Sequence, residues 1–322
     1  MYTPFMQIEP TTRCNYTCGF CAGRSLPQVD MSLETFQTII DNVDHLEHVE
    51  LQGEGEPLMN PHFFDMVTLL RKKFPDVLIS MITNGSLFTD EHIEQLLSHG
   101  INKVMVSMES ADPVMFRMIR GGKLSRVERG LAALVKTRDA SRKQLPEIGL
   151  SITVLKKTVD QLDAISGFYR RLGLDGGVTL QLLNGMNCYT QYYDDEMLAQ
   201  IPNKSDVARF NQLANTPAMQ SNLSKAGSVP GFYQHLYAQP SAKPTCPWLE
   251  NGLYVAANGT ACSCCMIKDS NDGFEIFNKE NVSEISRQRS AVLATLYSGN
   301  IPKACSECGT ANKVVSYARN VG

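Results

Sequence analysis

The chain has 322 residues, of which 43% are hydrophobic, so it can bury the core of one large domain and a smaller appendage. Its formal net charge of -3 gives no basic surface that would favour a nucleic-acid or acidic membrane partner. The first residues lack the pattern of a signal peptide, and no segment reaches the roughly 20 apolar residues of a membrane span. We therefore expect a cytoplasmic protein without nucleic-acid or membrane partners.

Short apolar segments alternate with longer amphipathic ones, which predicts parallel strands joined by crossover helices. Ser32 is the expected N-cap of the first helix, and Pro75 and Gly100 are expected to end the next two. Six βα units are too few for a closed eight-stranded barrel, so we expect an α/β fold built on a partial (β/α)6 barrel. The predicted strands are 5–9, 48–52, 77–82, 103–108, 148–154 and 178–183.

The chain divides into three predicted parts. Residues 1–184 form the partial barrel, 185–245 form a polar bridging segment with one or two helices, and 246–322 form a small α+β domain. In the last part, Asn258-Gly259 predicts a β-hairpin, and a helix is predicted near 283–296.

The ten cysteines are not expected to form disulfides in a reducing compartment, and their spacing indicates two groups that contain metal ligands, with Cys188 left over. Cys14, Cys18 and Cys21 form a C-x3-C-x2-C loop directly after the first strand. Three thiolates can hold three corners of a [4Fe-4S] cube and leave one iron open for chemistry. A structural zinc site is the alternative, but zinc usually takes four protein ligands and no fourth Cys or His lies nearby.

Three further motifs follow the next predicted strands. The sequence Gln52-Gly53-Glu54-Gly55-Glu56-Pro57 follows the second strand, Thr83-Asn84-Gly85 follows the third, and Ser107 and Glu109 follow the fourth, with Ile119-Arg120-Gly121 beyond them. With the cysteine loop, these motifs make the chain resemble the radical S-adenosylmethionine (SAM) superfamily. Glu54 departs from the family pattern, because it stands where the first glycine of the GGE-type motif usually lies.

The resemblance implies a SAM-binding site at the carboxyl ends of the strands. Cys14, Cys18 and Cys21 would hold the first [4Fe-4S] cluster, and Phe20 would pack beside the adenine. By the same resemblance, the SAM-contacting residues would be Phe20, Gly55, Glu56, Asn84, Ser107, Glu109 and Arg120. Arg120 is a plausible partner for the SAM carboxylate because a guanidinium binds a carboxylate through two parallel hydrogen bonds. Taken alone, Arg120 would be interpreted as a surface residue.

The second cysteine group is similar to the C-terminal auxiliary-cluster region of the SPASM and twitch subfamilies. This resemblance implies a twitch-like domain with one auxiliary [4Fe-4S] cluster, which Cys246, Cys264, Cys305 and Cys308 would ligate fully. A four-cysteine zinc site is the alternative. Cys262, Cys265 and Cys188 are then spare thiols, although the sequence leaves open which of Cys262, Cys264 and Cys265 binds the cluster. Such thiols are more often small core residues than reactants.

The resemblance also implies the chemistry. Reduction of the first cluster, by a flavodoxin- or ferredoxin-type donor, would cleave SAM and give a 5'-deoxyadenosyl radical that abstracts a substrate hydrogen. The expected outcome is epimerisation or dehydrogenation of a small polar, carbohydrate-like substrate of the aminocyclitol or aminoglycoside type. Cys265, and second Cys262, are the candidate hydrogen donors for an epimerase. Modification of a ribosomally made peptide, by epimerisation or cross-linking, and a non-enzymatic metal- or redox-sensing role are the alternatives.

Overall fold

The computed structural model describes residues 1–223, 243–268, 273–277 and 280–321. Strands β1 to β8 are Phe5–Ile8, His48–Leu51, Leu78–Thr83, Lys103–Ser107, Glu147–Val154, Val178–Leu182, Gly252–Val255 and Ala261–Cys262. Helices α1 to α13 are Leu33–Asp41, Phe63–Lys73, Asp90–Ser98, Pro113–Arg120, Leu124–Ala140, Leu162–Arg171, Asn187–Thr190, Asp195–Leu198, Lys204–Ala214, Pro217–Leu223, Pro247–Asn251, Val282–Tyr297 and Gly309–Val321.

Over the described residues these strands form one eight-stranded sheet with the order β6-β5-β4-β3-β2-β1-β7-β8. Strands β1 to β6 pair in parallel with their neighbours, and the six strands predicted from the sequence are confirmed. The α/β fold class is thereby confirmed. No described helix is long and apolar enough to cross a membrane.

The helices begin and end where the sequence pattern predicts. In α1, the Ser32 hydroxyl accepts a hydrogen bond from the Thr35 N–H at 3.0 Å, and Phe36, Ile39 and Ile40 are buried. Such a capped helix with one apolar stripe packs that stripe on the sheet. The main core between sheet and helices is accordingly apolar.

The inner side of the sheet differs, because polar residues alternate with apolar ones along each strand. In an all-parallel sheet buried on both sides, continuous apolar strands are the usual pattern. Ile82, Met105 and Leu183 are apolar residues that line the cavity on this side. The polar side chains of the floor form what we call the inner polar face: Gln7, Glu50, Ser80, Lys103, Ser151, Thr179 and Gln181.

The C-terminal part joins the main sheet rather than standing apart as the sequence suggested. The Asn258-Gly259 hairpin is present, with Gly259 at a φ of 86° and Tyr254 paired with Cys262. Its first strand, β7, pairs in parallel with β1 and thereby covers an edge that would otherwise expose unpaired backbone groups. Helices α11 to α13 enclose a separate small core, and the helix predicted near 283–296 is α12.

The bridging segment carries more helix than the one or two predicted. Within the described residues up to 223, four short helices, α7 to α10, follow β6. Residues 224–242 of the predicted bridge lie outside the described part of the chain.

Candidate active site

A cavity opens at the carboxyl ends of the strands and extends down to the inner polar face. This edge is where parallel α/β folds bind their ligands. Glu109 and Cys262 are buried outside the cavity wall. The predicted site residues that line the cavity are Cys14, Cys18, Phe20, Cys21, Gly55, Glu56, Asn84, Ser107, Arg120 and Cys265.

The first cysteine loop is anchored on the C-terminal end of α4. The backbone N–H groups of Thr17 and Gly19 donate to the carbonyls of Arg120 and Ile119 at 3.1 and 3.2 Å. A helix end leaves such carbonyls without intrahelical partners, so the loop satisfies them. Gly121 has a φ of 73°, and a Cβ there would lie 2.3 Å from Thr17 Oγ1. Glycine is therefore required for this close approach.

Each sulfur of the loop has an N–H donor beside it. Hydrogen bonds from such donors are a normal feature of cysteines that ligate iron-sulfur clusters. The donors are Tyr16 N at 3.4 Å and Asn84 Nδ2 at 3.7 Å from Cys14 Sγ, Arg120 Nη1 at 3.7 Å from Cys18 Sγ, and Gly23 N at 3.3 Å from Cys21 Sγ.

Burial raises the pKa of all three thiols, that of Cys18 to about 11. The thiols are thus neutral in the protein alone, and a bound cation is what would ionise them. No set of three or more His, Cys, Asp or Glu side chains among the described residues already has the arrangement of a metal site. The donor set nevertheless fits an iron-sulfur cluster, because three thiols with N–H donors line one cavity.

Glu56 organises the loops on the far side of the cavity. Its buried carboxylate accepts hydrogen bonds from Thr83 Oγ1 at 2.6 Å and Asn84 N at 2.7 Å. A Cβ on Gly55 would lie 2.2 Å from the carbonyl oxygen of Thr11, so the loop passes directly against the end of β1. The structure therefore ties the Gly-Glu-Gly-Glu loop to the Thr-Asn-Gly turn through Glu56.

Arg120 is buried, which corrects the surface interpretation that its sequence alone would favour. Its Nη2 donates to Glu109 Oε1 at 2.7 Å and its Nε donates to Glu109 Oε2, a two-point pairing. Burial lowers the pKa of Arg120, but the negative charge of Glu109 outweighs burial and the pKa is raised. Nη1 faces Cys18 and the ring of Phe20 lies 5.8 Å from the guanidinium carbon. Glu109 therefore positions Arg120 from behind the cavity wall.

A buried ionic network around Glu54 was missed by the sequence reasoning, which had treated Glu54 only as a departure from a glycine motif. Lys268 Nζ lies 2.8 Å from Glu54 Oε1, and both side chains are under a tenth exposed. Glu54 Oε2 accepts from Tyr189 OH at 2.8 Å and from Cys21 Sγ at 3.2 Å. Burial raises the pKa of Glu54, but Lys268 and these donors outweigh it and the pKa is lowered.

This network connects distant parts of the chain at one point. Glu54 N also donates to Glu9 Oε1 at 2.6 Å, and Ala257 N donates to Glu9 Oε2 at 3.1 Å. The barrel strand β1, the bridging segment at Tyr189 and the C-terminal hairpin thus meet beside Cys21. Lys268 is 214 positions from Glu54 in the sequence, so no local sequence pattern could have predicted that the two residues form an ion pair.

The proposed auxiliary-cluster ligands Cys246, Cys264, Cys305 and Cys308 are not among the residues that line the cavity. Cys246, Cys264 and Cys305 are near enough for their charges to influence one another's pKa, and Cys308 influences Cys246 and Cys305. Cys188 of the bridge also influences Cys305. Burial raises the pKa of Cys246, of Cys264, and of Cys305 to about 12.

The two candidate hydrogen donors have different surroundings. Cys265 lines the cavity, and burial raises its pKa to about 12, so it keeps its proton at neutral pH. Both thiols belong to an apolar cluster with Phe5, Trp248 and Tyr254, but Cys262 does not line the cavity. Of the two, Cys265 is the thiol placed to reach a ligand.

Comparison with known proteins agrees with this geometry. Residues 8–161 match the Radical SAM superfamily model. The tungsten-containing aldehyde ferredoxin oxidoreductase cofactor-modifying protein of Pyrococcus furiosus is 29% identical over 185 residues, which cover 56% of this chain and 51% of that protein. A probable GTP 3',8-cyclase of Methanococcus aeolicus is 25% identical over 222 residues, covering 64% and 70% of the two chains. The matched region thus spans about half the length of the first relative.

Solved structures share the fold. The structure of anSMEcpe with bound AdoMet and Cp18Cys peptide has a TM-score of 0.67 at 17% identity, covering 97% of this chain and 88% of that one. Streptococcus suis SuiB bound to precursor peptide SuiA has a TM-score of 0.65 at 14% identity, covering 88% and 64%.

The fold and the matched region define the class at the level of the domain: residues 8–161 are a radical SAM domain. The radical SAM superfamily uses SAM and a [4Fe-4S] cluster, and the C-terminal cysteines of this chain are consistent with an auxiliary cluster.

Proposed function

We propose that this enzyme abstracts a hydrogen atom from a small polar, carbohydrate-like substrate and thereby epimerises or dehydrogenates it. The observation that carries the proposal is the cavity itself. It joins three thiols with N–H donors at its mouth to an inner polar face on its floor. A polar floor matches a substrate rich in hydroxyl and amino groups, because such groups need partners once buried.

In this proposal Cys14, Cys18 and Cys21 hold the SAM-binding cluster. When bound, the reduced cluster supplies the electron that converts SAM into a hydrogen-abstracting radical. Arg120, fixed by Glu109, keeps a positive charge beside Cys18, where it offsets negative charge on the ligating sulfur. Glu56 holds the turn that carries Asn84, whose amide donates toward Cys14.

The C-terminal region would decide the outcome of the reaction. Cys246, Cys264, Cys305 and Cys308 are the proposed ligands of an auxiliary cluster that accepts an electron in a dehydrogenation. Cys265 is the proposed donor of a hydrogen atom in an epimerisation, supported by its place in the cavity wall. A flavodoxin- or ferredoxin-type protein is the proposed electron donor.

Modification of a peptide is the second candidate function. It is favoured by the fold shared with anSMEcpe and SuiB, whose structures contain a Cp18Cys peptide and the precursor peptide SuiA. A carbohydrate substrate remains the first choice because charged and hydroxyl side chains line the floor of the cavity.

The test is anaerobic reconstitution with iron and sulfide, followed by SAM and dithionite. We expect a brown protein that releases 5'-deoxyadenosine, measured by chromatography and mass spectrometry. A colourless protein with stoichiometric zinc and no 5'-deoxyadenosine would overturn the proposal.

A further inference from the structure

A row of polar residues crosses the floor of the cavity from strand to strand. Gln7 is paired with Glu50 across β1 and β2, Glu50 with Ser80 across β2 and β3, and Ser80 with Lys103 across β3 and β4. All four side chains line the cavity and each is almost wholly buried. Because cross-strand neighbours lie side by side, the row is one continuous polar strip.

Two oxygen atoms of this row have no partner within the described residues. Glu50 Oε2 accepts from Ser80 Oγ at 3.3 Å, whereas the buried Glu50 Oε1 accepts no hydrogen bond. Gln7 donates through Nε2 to the Gln52 carbonyl at 3.3 Å, whereas its buried Oε1 accepts none. A buried acceptor without a donor is unfavourable, because it has lost the hydrogen bonds that water would make to it. The neighbouring strands β1 and β2 therefore present two unsatisfied acceptors to the cavity.

The opposite end of the row has the opposite charge. Lys103 Nζ lies 3.8 Å from Glu147 Oε2, and both side chains are a tenth exposed or less. The Lys103 ammonium group is thereby paired with Glu147, and its charge also lowers the pKa of Glu50. A ligand lying along the row would place hydrogen-bond donors at Glu50 and Gln7 and acceptors toward Lys103.

We propose that Glu50, assisted by Gln7, binds a protonated amino group of a polyhydroxylated small-molecule substrate on the cavity floor. An ammonium group supplies several donors, and its charge is the partner that a buried carboxylate requires. The hydroxyl groups pair with Ser151, Thr179 and Gln181 on the adjoining strands of the inner polar face. This inference rests on the proposed function, since it names the substrate class of the same cavity.

Ligand binding at Glu50 carries a measurable signature. Burial raises the pKa of Glu50 to about 8, even though Ser80 and Lys103 lower it, so the carboxyl is largely protonated at pH 7. A ligand cation favours the ionised form, and binding therefore releases a proton from Glu50. A neutral ligand would release none by this route.

The experiment measures binding without turnover, so its failure is distinguishable from a failure of SAM cleavage. Glucosamine, glucose and lysine amide are titrated at pH 7 into the reconstituted, SAM-loaded protein by calorimetry in buffers of different ionisation enthalpy. We expect saturable glucosamine binding in the millimolar range, tighter than that of glucose, with release of up to one proton. Glu50→Gln should weaken it by about 10-fold or more and abolish the proton release, because a charged hydrogen bond contributes about 1.5–3 kcal/mol.

Glu47→Gln is the matched control, because it makes the same chemical change at a half-exposed residue outside the cavity and should bind as the wild type does. Gln7→Met is a second variant and should weaken binding less than Glu50→Gln. The proposal is overturned by equal glucosamine affinity in wild type and Glu50→Gln, by no saturable glucosamine binding to the wild type, or by a preference for lysine amide. Release of 5'-deoxyadenosine by the wild type, measured separately, would leave the proposed radical chemistry standing in each of these cases.

Discussion

The two cysteine groups of this chain have contrasting surroundings. Cys14, Cys18 and Cys21 line the cavity and have N–H donors at their sulfurs. The C-terminal cysteines Cys246, Cys264, Cys305 and Cys308 lie outside the cavity wall: Cys246 and Cys264 pack beside Trp248 and Tyr254, and Cys305 and Cys308 beside α12 and α13. A group of three ligands facing a cavity suits a site for chemistry, whereas a group of four within apolar packing suits a closed electron-transfer site.

The largest effect should come from removing the first group. In the Cys14/Cys18/Cys21→Ala triple variant, iron should fall from about eight per chain to about four, because each [4Fe-4S] cube contributes four. Release of 5'-deoxyadenosine should fall to background. Cys188→Ala is the control and should keep the wild-type iron content, since Cys188 lies outside both proposed ligand sets. Wild-type SAM cleavage by the triple variant would contradict the assignment, and zinc in place of the second iron set would contradict the auxiliary cluster.

The next prediction concerns Cys265, the cysteine of the C-terminal group that lines the cavity. If the enzyme is an epimerase, Cys265→Ala should cleave SAM and keep its iron but form no product, because the substrate radical lacks its hydrogen donor. Product made by the wild type in deuterium oxide should carry one deuterium, since a thiol proton exchanges with solvent. A dehydrogenase product would instead be two mass units lighter than the substrate and free of solvent deuterium.

Cys262→Ala is the matched comparison for that experiment. Cys262 shares the apolar cluster with Cys265 but does not line the cavity, so this variant should form product. Loss of iron in Cys265→Ala would mean that a ligand had been taken for a donor. Full turnover in both variants would show that neither Cys265 nor Cys262 is the hydrogen donor of an epimerase. Cys188 would then be the remaining candidate thiol.

The sequence predicted the regular part of this molecule because its signals are local. Strand positions, the Ser32 cap and the Asn258-Gly259 turn depend on neighbouring residues, and all were confirmed. The pairing of β7 with β1 joins residues almost 250 positions apart, so no local pattern could indicate it. The inner polar face did leave a signal, namely polar residues at every second position of parallel strands, which the sequence analysis did not use.

A third prediction tests the ion pair between Glu54, beside the first cysteine group, and Lys268 of the C-terminal part. Lys268→Met would leave the buried Glu54 carboxylate beside Cys21 without its cation, and breaking a buried ion pair typically costs about 3–5 kcal/mol. We expect a lower thermal midpoint and reduced iron retention. The double variant Glu54→Gln/Lys268→Met removes both charges and should recover much of the loss. If the double variant is as unstable as Lys268→Met, the two residues are not coupled and the network does not join the regions.

The last prediction concerns the pH dependence of stability, and it tests the polarity of the cavity floor. The folded pKa of Glu50 is about 8, above its ordinary value of 4.5, so between these values the folded protein holds a proton that the unfolded chain has released. The stabilisation that this proton provides is fully present below pH 4.5 and is lost as pH rises toward 8. Glu50→Gln has no such proton to lose. The free energy of unfolding of the wild type should therefore fall, relative to that of Glu50→Gln, by at most about 1.4 kcal/mol per pH unit between pH 5 and 8. Urea unfolding of both proteins at several pH values measures this difference. The charged form of Glu50 also raises the pKa values of Lys103 and Cys265, so the difference contains their response to the substitution. A difference that is constant with pH would show that Glu50 is already ionised in the folded protein, with a partner for its charge in the unliganded cavity.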